Sequence, residues 1–115
     1  MKAVIAWWDL APSGRDAASL REFVRDEAVE RFSRVRGLRL KVWISDGAAA
    51  RWGAVLLWES AEAAEQTLPQ RAAEIIGYPP TELHIFDVEA CVEGVHPGGG
   101  LQDRGLVHGE TDGAA

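Results

Sequence analysis

The chain has one cysteine among its 115 residues. That excludes an intramolecular disulfide and a cysteine-cluster metal site. It is also short of positive charge, with 12 Lys and Arg against 18 Asp and Glu and a net charge of −6. A nucleic-acid binder is expected to show a basic face, and an RNA-recognition sheet an aromatic RNP1-like strand. Neither is present, so no nucleic-acid partner is expected. No apolar run approaches the ~20 residues of a membrane span, so no membrane partner is expected either. A single Lys precedes the first apolar stretch and no small-residue cleavage site follows it. That stretch therefore reads as a strand rather than a signal peptide, and a cytoplasmic location is expected.

What is present is ordinary globular material: 47% hydrophobic and 26% charged residues. A chain of this length makes one domain and buries about two-thirds of its extended surface. One count is out of proportion. There are five Trp beside one Tyr and one Met.

Lys2 to Trp8 (KAVIAWW) reads as a strand buried on both sides. Pro12, Ser13 and Gly14 mark a loop, and Asp16 is a candidate N-cap. From Ala17 to Arg36 the period becomes helical, with Leu20, Phe23, Val24, Ala28, Phe32 and Val35 on one stripe. Gly37 is a natural stop. Leu38 to Ser45 alternates as a strand, with Leu38, Leu40, Val42 and Ile44 on one face and Arg39, Lys41, Trp43 and Ser45 on the other. Arg51 to Glu59 (RWGAVLLWE) returns, with Trp52, Ala54, Leu56 and Trp58 on one face. Ser60 caps a helix from Ala61 to about Leu68. Pro69 predicts a break and the start of a short helix that runs to Ile76 and is ended by Gly77. Thr81 to Ala90 (TELHIFDVEA) is the last strand. Residues 94–115 are Gly-rich and unpatterned, and are expected to form a disordered tail.

This order, β-α-β-β-α-β, is the ferredoxin-like split: an α+β fold with helices on one face of a four-stranded antiparallel sheet, in a domain spanning 1–93. The strands are apolar on both faces, and one such unit cannot bury its second face. A second copy, sheet against sheet in a homodimer, is the simplest cover.

Three segments carry a resemblance: Gly37-Leu38 with Lys41-Val42-Trp43 (GLRLKVW), Trp52 to Glu59 (WGAVLLWE), and Phe86-Asp87-Val88 (FDV). In order and spacing the chain resembles, from about Val4 to Ala90, the YdhR-type monooxygenase family of the dimeric α+β barrel superfamily. That superfamily includes the antibiotic-biosynthesis monooxygenases. The resemblance implies a homodimeric barrel with a pocket in each subunit, between sheet and helices. Relatives oxidise polycyclic phenols to quinones without metal or flavin, so no cofactor is implied. Others isomerise or cyclise small intermediates, and fold does not fix function. A haem-degrading relative would want a His on the second helix, and 61–76 has none. The Trp7-Trp8 pair, Trp52, Trp58, the Pro69 break and the Gly-rich tail depart from the family pattern.

The candidate site residues follow. Trp8, Trp52 and Trp58 form one aromatic surface, with Trp43 and Trp7 expected on opposite strand faces. They either line a pocket for an aromatic or polyketide-like ligand, or fill the core and the dimer interface. His84, beside Phe86 on one strand face, is a candidate base for an acidic phenol, or an ordinary strand histidine. Asp87 either orients a base or pairs with a cation such as Arg39 or Lys41. Asp9 either stands at a pocket mouth or caps a loop. Arg39 and Lys41 either bind an anion or stack on indole, or lie on a solvated rim. Cys91 reads as a small buried hydrophobe rather than a nucleophile, since no base is in view beside it. No metal site is expected, because the folded region holds a single His. The expected activity is cofactor-independent monooxygenase chemistry on an aromatic compound. The alternatives are an isomerase or cyclase in the same pocket, or a non-catalytic binding protein.

Overall fold

The computed structural model describes residues 1–68 and 70–111. Four strands, β1 (Lys2–Asp9), β2 (Leu38–Asp46), β3 (Arg51–Trp58) and β4 (Glu82–Asp87), form one sheet in the order β2-β3-β1-β4. Every neighbouring pair is antiparallel. With helices between β1 and β2 and between β3 and β4, this is the ferredoxin-like α+β fold.

The first helix, α1, covers residues 18–33. It opens with a 3-10 turn (Ala18–Leu20), relaxes to α geometry, widens further into a π turn (Val24–Ala28) and closes as α-helix (Val29–Ser33). Asp16 holds its start, its Oδ1 accepting the Ser19 N–H at 2.8 Å. Two shorter helices follow β3: α2 (Ala61–Ala64) and α3 (Arg71–Ile76). Ser60 Oγ accepts the Ala63 N–H at 3.1 Å, and Gly77 ends α3 in the left-handed conformation at φ +104°.

α2 is shorter than its sequence pattern, which runs to about Leu68. The Gln66 amide donates to the carbonyls of Arg36 and Ala63 at 2.8 Å each. It thereby takes up a helix-end acceptor and ties this turn to the end of α1. The Pro69 break lies outside the described residues. β4 stops at Asp87, short of Ala90, and beyond it the Val88 N–H bonds back to Met1 O and the Cys91 thiol to Met1 Sδ. Within the Gly-rich segment, Leu106–His108 form a 3-10 turn and Val107 packs against the core. Arg104 grips Glu110 through two bonds of 2.7 and 2.8 Å. Together with the Gly105 N–H, that guanidinium holds the Glu110 carboxyl at about 2.

The two faces of the sheet differ. Trp8, Trp52, Ala54, Leu56 and Trp58 face the helices and are buried, Trp58 at 1% exposure. They belong to two clusters. One gathers Trp8 and Trp52 with Leu10, Leu20, Val24 and Ile76; the other gathers Ala54, Leu56 and Trp58 with Leu38, Ala63 and Leu68. Trp43 packs against both. Its expected placement, on the opposite face from Trp8 and Trp52, is therefore corrected. Trp43 pairs with Ala54 and Lys41 with Leu56, so both face the helices.

The expected grouping of Leu38 with Leu40, Val42 and Ile44 is corrected as well. A bulge between Leu38 and Leu40 inserts an extra residue opposite Trp58 and Leu57, and Leu38 turns inward. The outward face carries Ile5, Trp7, Val55, Leu57, Val42, Ile44 and Phe86. Val42 and Ile44 are each 42% exposed and Phe86 50%. At Gly53 the two central strands nearly touch: a Cβ there would lie 2.1 Å from the Ala6 carbonyl oxygen.

Candidate functional site

Between the two core clusters lies a cavity of about 260 Å³, at the lower edge of the ~300–1,000 Å³ usual for small-molecule sites. The sheet supplies its floor through Trp8, Trp43, Trp52, Trp58 and the small residues Ala6, Gly53 and Ala54. α1 supplies a wall through Phe23, Glu27, Ala28, Arg31 and Phe32. The π turn matters here. Widening one turn keeps Phe23, the Glu27–Ala28 pair and the Arg31–Phe32 pair on one side of the helix. α3 and the segment before it add Arg71, Ala72, Ala73 and Gln70.

The aromatic rings are arranged edge to face or tilted, which leaves ring faces and edges to the cavity. Trp8 and Trp52 have centroids 5.5 Å apart at 47°, and Phe32 meets Trp43 at 5.9 Å and 81°. Trp8 is fixed further by its indole N–H, which donates to Tyr78 O at 2.9 Å.

The polar groups on the lining are few: Glu27, Arg31, Lys41, Gln70 and Arg71. Glu27 and Arg71 face each other at 3.7 Å. Lys41 stands apart from the others. Its Nζ lies 3.2 Å from the Phe32 ring centroid and 4.6 Å from that of Trp43. No carboxylate among the described residues reaches it within 4.0 Å. Burial pushes its ammonium down to about 7 from the ordinary 10.5. Lys41 also borders a second, more open groove of about 630 Å³ between β2, α1 and residues 101–110.

The sequence-predicted residues divide cleanly. Trp8, Trp43, Trp52 and Trp58 line the cavity together. His84, Phe86, Asp87 and Asp9 do not. The β1–β4 register pairs His84 with Ile5 and Phe86 with Ala3, on the outward face. There His84 stacks on Phe86 at 6.1 Å and sits 3.1 Å from Glu82 Oε1. The candidate base and its aromatic neighbour are thus separated from the cavity by the sheet, which instead receives Leu83 and Ile85 from β4. Asp87 bonds Lys2 at the far end of the strand, and that ammonium holds its carboxyl below the ordinary range. The partner is neither Arg39 nor Lys41; Arg39 binds Glu59 at 2.8 Å. Asp9 caps a loop: its Oδ1 accepts the Ala11 N–H at 3.1 Å and its own N–H donates to Thr81 Oγ1 at 2.7 Å. Cys91 is exposed.

Sequence reasoning did not single out Phe23, Phe32, Glu27, Arg31 or Arg71 for the site. The two Phe were visible only as helix-stripe residues, and nothing in the spacing says that their stripe stops short of the sheet. Among the described residues no group of three or more His, Cys, Asp or Glu is placed to hold a metal ion. No helix is long and apolar enough to cross a membrane.

No family model and no curated protein matches the chain. Among solved structures, the chain is similar to the crystal structure of a "putative Antibiotic biosynthesis monooxygenase from Chloroflexus aurantiacus J-10-fl". The TM-score is 0.53 and the identity 19%, over 83% of this chain and 98% of that one. A likeness at this identity is one of fold: the two proteins share the four-stranded antiparallel sheet with helices laid on one face.

Proposed function

We propose that the chain binds a small planar aromatic or polyketide-like compound in the cavity between sheet and helices, and acts on it as a cofactor-independent monooxygenase. The observation that carries this reading is the lining itself, four indoles and two phenyl rings with few polar groups among them. The similarity to a protein described as an antibiotic-biosynthesis monooxygenase is consistent with it. Ring faces hold a flat substrate, and the scarcity of polar groups shields a reduced-oxygen intermediate from water.

The same reading includes a homodimer. The outward face of the sheet is apolar and uncovered, and a second copy laid on it would bury Val42, Ile44 and Phe86. His84 would then belong to the interface rather than to the cavity.

The test is oxygen uptake by the purified protein with a panel of phenols and anthrones, alongside ligand quenching of Trp fluorescence. Quenching with oxygen uptake is the expected outcome. Product of unchanged mass formed without oxygen would point to an isomerase or cyclase. One observation favours a second reading, a non-catalytic binding protein: neither His84 nor Asp87 reaches the cavity. Quenching with no turnover under either atmosphere would establish that reading.

A further inference from the structure

The cavity offers few groups that can exchange a proton. Arginine stays charged, and glutamine and indole do not titrate. Glu27 and Lys41 remain. Glu27 has Arg71 beside it and a side chain 42% exposed. Lys41 is the inner one: it stands on β2 opposite Leu56, among ring faces, without an ion-pair partner among the described residues.

The charged groups around Lys41 can be named. On the cavity side they are Glu27 and Arg31 from α1 and Arg71 from α3. On the groove side they are Arg21 at the start of α1, and Asp103, Arg104, His108 and Glu110 from the C-terminal segment. Arg104 and Glu110 are engaged with each other at 2.7 Å, and His108 faces Asp103 at 3.9 Å. None of the three carboxyl groups comes within 4.0 Å of Nζ.

We propose that Lys41 is the acid–base group of this cavity: its neutral amine takes the proton of an acidic hydroxyl on the bound aromatic ring, and its ammonium then holds the resulting phenolate. The inference rests on the reading of the cavity as an aromatic-ligand site. In the step the O–H bond breaks with its electron pair left on oxygen, and the Nζ lone pair forms the new N–H bond. The reverse transfer restores both groups on release. The transfer consumes no oxidant. Two features make Lys41 suited to it. Burial brings the amine's proton affinity near neutral pH, where acid–base exchange is most effective. The cage of Phe32 and Trp43 welcomes the charge once formed, at 3.2 and 4.6 Å.

The probe is 1-naphthol, a planar aromatic alcohol that keeps its proton in free solution at pH 8 and whose neutral and ionised forms absorb differently. A cation beside an acid lowers its pKa by ~1–3. At pH 8 the probe is therefore expected to quench the Trp fluorescence of the wild-type protein on binding, and the ratio of ionised to neutral bound probe is expected to be about tenfold higher than in Lys41→Met. A second measurement uses the unaltered protein, so it does not depend on the variant folding. With ¹³Cε-labelled lysine, the Lys41 resonance is expected to pass from a largely neutral to a protonated position on probe addition at pH 8. Absence of quenching in the wild type overturns the ligand-site reading and this proposal with it. Quenching with equal ionisation in wild type and variant, or a Lys41 resonance unmoved by bound probe, overturns the proposal alone.

Discussion

Replacing Lys41 with Met should make the protein more stable, and the gain should depend on pH in one direction. Lys41 is the perturbed group because water is replaced around its ammonium by Phe32, Trp43 and the apolar floor. Its folded value lies at about 7 against 10.5 for the ordinary side chain. At about 1.4 kcal/mol per pKa unit, that gap sets a ceiling of about 5 kcal/mol on the penalty. Residual water contact and ring-face attraction reduce it, and about 2–3 kcal/mol is the expected remainder. Below pH 7 both folded and unfolded chains carry the proton, and the full penalty falls on the folded state. Between pH 7 and 10.5 the unfolded chain keeps the proton that the folded chain has released. The unfolded state then binds more protons, so wild-type stability rises with pH. Met keeps most of the lysine stem against the rings and removes the charge. Its advantage should be greatest below pH 7, amount to about 10 °C in Tm, and vanish near pH 10.5. Urea unfolding of both proteins at pH 6, 8, 9.5 and 10.5, at equal protein concentration, measures the difference, in which all other titrations cancel. A pH-independent difference, or a Met variant less stable than wild type at pH 6, would refute the reasoning.

Gly53→Ala should lower stability by about 4 kcal/mol or more, because its Cβ would meet Ala6 O at 2.1 Å in the centre of the sheet. Gly47→Ala, with no atom within 4 Å of its Cβ, should be close to neutral, and thermal melts of the two make the comparison. Truncation after Glu93 should keep the sheet but lower Tm, since Val107 packs against the cluster that holds Trp8 and Trp52; an unchanged melt would show that this contact contributes nothing. His84→Ala should leave ligand quenching and turnover within twofold of wild type, while Trp52→Leu should abolish quenching by a cavity ligand. Light scattering at micromolar concentration should report a dimer, and a stable monomer would remove the second copy from the account of the outer face.

Much of the fold was legible because its signals are local. The helical stripe from Leu20 to Val35, the caps at Asp16 and Ser60, and Gly77 after α3 each act over a few residues. The Trp52–Trp58 face of β3 followed from alternation. Alternation gives parity, though, and not which parity meets the helices. On β2 the set containing Trp43 was expected opposite Trp8 and Trp52, yet Lys41 and Trp43 face the helices with them, and Leu40, Val42 and Ile44 face outward. Sequence pattern assigns the greasier face to the protein's own core, and on β2 the greasier face is the one turned away from the helices. β4 posed the same problem. Leu83 and Ile85 compete with His84 and Phe86, and only hydrogen-bond register with β1 decides between them. The site was half legible for the same reason: Trp8, Trp52 and Trp58 sit on strands whose parity was right, and Lys41 and Trp43 sit on the strand whose parity was inverted.

The bulge between Leu38 and Leu40 makes the site unequally tolerant of changes in chain length. Arg39 is the surplus residue there, and its side chain is engaged with exposed Glu59. Deleting it would restore simple alternation, with Leu38 still against Trp58 and Lys41 still in the cavity. One residue inserted between Lys41 and Trp43 would do the opposite. It would leave one of the two in place and turn the other out through the sheet, with no change in composition on either side. Natural insertions and deletions in this strand should therefore collect at position 39 and be scarce from Leu40 to Trp43.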